Sequence, residues 1–111
     1  MSQNQENSET NNADISFEVG FRNNKTRFDL RMISIAEEEE IRLKFTDIAD
    51  SDSEKEEKEY EICLEALTKF SVKLESGFRT KFSDRTVTNE RIIRAAYREF
   101  RSALTPEVTF L

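Results

Sequence analysis

Side chains that move protons, hold metals or attack electrophiles are scarce in this chain. It contains no His, so the commonest general base and metal ligand is missing. Its single Cys, Cys63, falls on the core side of a helical pattern with no basic group beside it. A thiol there reads as a small buried apolar residue rather than a nucleophile. Glu37, Glu38, Glu39 and Glu40 form an acidic run that could in principle hold a hard cation. Consecutive helical positions point around a helix rather than at one point, so a solvated helix start is the better reading. Asp47, Asp50 and Asp52 come close together but lack the loop Gly and terminal Glu of a calcium loop. Gly20 and Gly77 are the only glycines, so no loop can cradle a phosphate. These residues point away from an enzyme and call for no metal and no cofactor.

Charge is the stronger signal. From Ser34 to Glu65 there are thirteen acids against four bases, and from Ala66 to Leu104 nine bases against four acids. The two halves can neutralise each other across packed helices, or they can form two patches offered to charged partners or to copies of the same chain. Arg91, Arg94, Arg98 and Arg101 recur at steps of three and four, a basic edge along one helix. Arg serves protein interfaces as well as nucleic acid. With no aromatic interleaving on that edge and a total charge of −6, protein is a better partner than nucleic acid.

The elements that must position these groups follow from periodicity. Tyr60, Cys63, Leu64, Leu67, Phe70, Leu74 and Phe78, with Ser71 and Gly77, form one stripe at helical spacing. Ser53 with Glu56 reads as a capping box and Gly77 as the closing residue, which predicts a helix over about 54–76. Before it, Phe17, Val19 and Phe21 alternate, as do Phe28, Leu30 and Met32. An Asn24-Lys25 turn would set Phe21 opposite Phe28, Val19 opposite Leu30 and Phe17 opposite Met32, with a slip to Asn23-Asn24 as the alternative. Such a hairpin must pack on a helix to persist. Ser34 and Glu37 form a second capping box, opening a helix over about 35–48 that buries Ile41, Phe45 and Ile48. Residues 79–87 read as a loop anchored by Phe82. Thr88 caps a third helix, whose stripe is Ile92, Ile93, Ala96, Tyr97, Phe100, Ala103 and Leu104, and Pro106 stops it.

The chain has 111 residues, so one domain is the natural expectation. Hydrophobic and charged residues are each 36%, which leaves material for only a small core, anchored by nine Phe. The reading is an α+β, mostly α fold: an N-terminal β-hairpin followed by three helices in a small bundle, spanning 14–106. Residues 1–13 read as a disordered polar tail. Residues 107–111 read as an extended C-terminal tail whose Val108, Phe110 and Leu111 should dock on the domain or on a partner. One Cys, a polar start and no apolar run near the ~20 residues of a membrane span suggest a cytoplasmic protein with no membrane partner.

Phe17-Glu-Val-Gly-Phe, followed by Lys25-Thr-Arg-Phe-Asp-Leu-Arg-Met-Ile-Ser-Ile-Ala-Glu-Glu-Glu-Glu-Ile, resembles the opening of tail-assembly chaperones of long-tailed bacteriophages. These often begin with a short hairpin whose second strand reads apolar-x-Leu-Arg, then a Ser or Thr cap and an acidic helix start. Here those parts are Phe28 to Met32, Ser34, and Glu37 to Ile41. The resemblance covers about 16–48, and the later helices match only in being helices. It implies a small helical factor of the infected cell that binds tape-measure and tail-tube proteins during tail building. The rival functions are an acidic regulator that mimics nucleic acid, and a structural subunit of a virion or complex. Self-association is open under each. The residues expected to meet partners are Glu37, Glu38, Glu40, Arg91, Arg94, Arg98, Arg101, Val108, Phe110 and Leu111.

Overall fold

A computed structural model describes residues 13–111. The disordered tail expected at 1–13 lies, but for its last residue, outside the described residues. The order is β1 (Ile15–Phe21), β2 (Asn24–Leu30), α1 (Ile35–Thr46), α2 (Lys55–Lys69), β3 (Ser71–Lys73), α3 (Phe78–Phe82) and α4 (Val87–Ala103). The architecture is therefore α+β and mostly helical, a hairpin followed by three long helices, with a short strand and a single-turn helix between the second and third.

The hairpin forms with the expected faces and a different register. Phe17 pairs with Phe28, Val19 with Thr26 and Phe21 with Asn24, so Arg22 and Asn23 make the turn. Arg22 takes a φ of 58°, the left-handed conformation that a two-residue hairpin loop demands. Both expected turns differ from this one by whole steps of two in the pairing, so each apolar residue keeps its face. Phe17 now stacks on Phe28 at 5.5 Å between ring centres. Met32 falls beyond the strand and is exposed.

The predicted helix over 54–76 is shorter at both ends. Ser53 does not cap it. Asp52 Oδ1 accepts from the Glu54 backbone N–H at 2.8 Å, and its other oxygen takes Lys58. Those contacts, Lys58 first, hold the Asp52 carboxyl below its usual range. At the far end Phe70 caps the helix, the Ser71 hydroxyl donates to the Leu67 carbonyl, and the chain turns extended. Ser71–Lys73 then pairs antiparallel with β2, and the Arg31 N–H donates to the Phe70 carbonyl at 3.0 Å. An open strand edge outcompetes three more residues of helix, because sheet pairing satisfies two chains at once. Leu74 consequently leaves the stripe and is partly exposed. Gly77 does adopt a positive φ, 77°, but it opens α3 rather than closing α2. The loop expected at 79–87 holds part of α3, which buries both Phe78 and Phe82.

Thr86, not Thr88, caps α4, accepting from the Asn89 N–H at 3.1 Å. The buried Asn89 side chain donates to the carbonyls of Lys81 and Asp84, stapling the preceding loop. Sheet and helices close on one core of Phe28, Leu30, Tyr60, Leu67, Phe70, Phe78, Phe82, Ile92, Ile93, Ala96 and Phe100. The buried Tyr60 hydroxyl donates to the Phe82 carbonyl at 2.8 Å, so it enters the core satisfied. The capping box of Ser34 and Glu37 forms as the sequence indicates. Ile41 of α1 is buried and Phe45 and Ile48 half-buried, while Ile35 and Leu43 face outward.

Candidate protein-binding face of the last helix

α4 turns Ile92, Ile93, Ala96 and Phe100 into the core, which leaves its arginines on the flanks of that stripe. The four are not equivalent. Arg94 is spent internally: its Nε donates to Glu90 at 2.7 Å, its Nη2 to the Glu56 carbonyl at 3.0 Å, and its Nη1 lies 3.6 Å from Glu59. Arg101 Nη2 meets Glu38 at 3.0 Å, but its Nη1 is buried with no hydrogen-bond partner among the described residues. Arg91 and Arg98 are exposed, with no ion pair among the described residues.

The acids of α1 are likewise tied down. Glu37 holds Arg31 through two parallel hydrogen bonds, 2.8 and 3.1 Å, and accepts from the Ser34 N–H. Arg31 and then Ser34 keep its carboxyl down at about 2. Glu38 takes Arg101 and Glu40 takes Lys69 at 3.3 Å. Three bridges, Glu38–Arg101, Glu40–Lys69 and Glu59–Arg94, join the acidic half to the basic half. Mutual neutralisation thus accounts for part of the charge segregation. Among the residues it leaves outward are Arg91 and Arg98 on α4, and Glu54, Glu57 and Glu61 at the start of α2 and along it.

Two hollows flank α4. The first, about 370 Å³, has Phe45, Cys63 and Tyr97 as its floor and Arg94, Arg98 and Arg101 with Glu59 as its rim. Phe45 and Tyr97 lie 5.8 Å apart, ring centre to ring centre. Burial pushes the Cys63 thiol up to about 11, so at neutral pH it is an inert apolar surface. The second, about 510 Å³, runs between β1, from Phe17 to Gly20, and the α4 residues Ala95, Arg98, Glu99 and Ser102. Arg98 borders both.

The spacing places Arg91, Arg94, Arg98 and Arg101 on one edge, and the structure brings the last three to one rim. It does not bring Arg91 there. Phe45 and Tyr97 were legible only as core positions, and their role as a floor depends on α1 lying against α4. The second hollow has a signal in the sequence: Ala95 and Ser102, two small residues seven apart, make a notch two turns long. Val108, Phe110 and Leu111 do not dock on the domain; they are 72%, 91% and 119% exposed. No described helix is long and apolar enough to cross a membrane. No protein-family model, no curated protein and no solved structure matches this chain.

Proposed function

We propose that the chain is a non-enzymatic, protein-binding assembly chaperone or adaptor, and that its setting is bacteriophage tail morphogenesis, with tape-measure and tail-tube proteins as clients. The observation that carries the binding role is the first hollow. An aromatic floor under three arginines suits a client segment with one large apolar side chain flanked by acid. The apolar group would cover Phe45 and Tyr97, while a carboxylate would reach the exposed Arg98. The phage setting is supported by the resemblance over 16–48, whose hairpin, Ser cap and acidic helix start exist as elements here.

Affinity capture from infected cells, with the bound proteins identified by mass spectrometry, tests this. Tail-tube or tape-measure proteins should be recovered by the parent chain and lost with Arg98→Glu, whose melting temperature should match the parent because Arg98 is exposed. Recovery of the chain in finished particles would instead indicate a structural subunit. One observation favours a second reading, an acidic mimic of nucleic acid: Glu54, Glu57 and Glu61 recur at helical spacing, exposed and without ion pairs among the described residues. In that case the capture should return a polymerase or nuclease and be lost with Glu57→Lys, not with Arg98→Glu.

A further inference from the structure

β1 is an edge strand. Among the described residues it pairs only with β2, so half of its backbone groups along seven residues point outward without a sheet partner. Its apolar side chains, Ile15, Phe17, Val19 and Phe21, are half-buried. The second hollow lies alongside, walled by α4, and the small Ala95 and Ser102 leave it its width. An open edge beside a helix-walled groove takes an extended segment as an added strand: main-chain hydrogen bonds to the edge, alternate side chains into the groove.

The chain carries such a segment. Residues 107–111 form neither helix nor strand. Val108 and Phe110 alternate, so in an extended chain both fall on one side. Of the nine Phe, Phe110 alone stands fully in the open. The groove bears Glu18, Arg98 and Glu99, and the one charged side chain of the segment is Glu107, which orients it with that residue toward Arg98. The segment does not lie in the groove of its own chain. Val108, Phe110 and Leu111 are exposed, and none of the residues that line the groove comes from the segment.

We propose that residues 107–111 of one copy add as a strand to the free edge of β1 in a second copy. Val108 and Phe110 enter the groove beside Ala95 and Ser102, and Glu107 faces Arg98. Reciprocal exchange closes two copies around a two-fold axis. The proposal does not rest on the client reading, but the two hollows share Arg98, so Glu107 of a second copy and a client carboxylate would compete for it.

Sedimentation velocity over a wide range of concentration, with amide shifts followed by NMR, tests it. The parent chain should pass from monomer to dimer as concentration rises. Phe110→Asp should weaken that step by about tenfold or more, without changing the melting temperature. Deleting 107–111, or narrowing the groove with Ser102→Phe, should abolish it. A synthetic peptide of residues 105–111, blocked at both ends and added to the deleted chain, should shift the amides of Phe17 to Gly20, Ala95 and Ser102. A chain that stays monomeric at every concentration overturns the proposal. So does a dimer that survives the deletion, which would place the interface elsewhere. Groove amides that move on deletion within a monomer overturn it too, since the segment would then occupy its own groove.

Discussion

Leu67 has no exposed surface and sits in the last turn of α2, within the core. Leu67→Asp would put an unpaired charge there, among the few changes that remove most of the stability of a small domain. Far-ultraviolet dichroism should show loss of the cooperative melt; an unchanged curve would mean that α2 faces no core. Glu37 acts at the surface and through pH. Its folded carboxyl titrates at about 2 against an ordinary 4.5, chiefly because Arg31 bonds to it. The folded state thus binds fewer protons than the unfolded one. Its contribution is complete above 4.5 and is lost as pH falls towards about 2. Glu37→Gln should therefore flatten the acid limb of a plot of Tm against pH between those values, and should lower Tm at neutral pH. An acid limb as steep as the parent's would show that the Arg31 pair contributes nothing. Cys63 was legible as a buried residue because its place depends on local pattern, whereas Gly77, legible as a left-handed residue, opens α3 rather than closing α2. Arg101 was not legible, because its half-satisfied guanidinium depends on where α1 lies.

Elements divide in the same way. The hairpin, α1 and α4 were legible because each carries its own period, and the faces of the hairpin survive a change of register. The register itself was not legible. Asn-Lys and Arg-Asn are both weak turn chemistry, and nothing local says that the turn will force Arg22 into a positive φ. β3 was hidden for a different reason: Ser71 continues the helical stripe of α2, and only the neighbouring edge of β2 makes an extended chain preferable. The start of α2 gives the sharpest test. Glu54 stands at the N-cap with no side-chain cap bond, Ser53 makes none, and Asp52 instead fixes the turn before the helix by accepting from the Glu54 N–H. Asp52→Ala should cost about 1 kcal/mol for that lost hydrogen bond and Ser53→Ala close to nothing, measured by urea unfolding. The reverse order would restore the capping box that the sequence suggests.

At the scale of the whole molecule, charge holds the halves together only in part. The bridges of Glu38, Glu40 and Glu59 to Arg101, Lys69 and Arg94 are all partly exposed, so each is a minor contributor to stability. Arg98 is left for outside partners. Raising salt from ~0.05 to ~0.5 M shortens screening to a few ångströms. Client capture should weaken over that range while the melting temperature moves little; capture that is indifferent to salt would remove Arg98 from the interface. The candidate site was legible as a run of arginines and an apolar tail, whereas its floor and its groove are products of packing between elements distant in sequence. That separation has a kinetic side. β1 and β2 meet across two residues, but β2 reaches β3 only after Asp29 has found Lys73, forty-four positions along. Closing so long a loop is entropically slow, and its reward, a three-residue strand, is small. The hairpin and helices should therefore assemble first and β3 should latch last. Val72→Gly, which weakens the strand at a partly exposed position, should speed unfolding in stopped-flow experiments and leave refolding unchanged. Slowed refolding would place β3 in the nucleus instead.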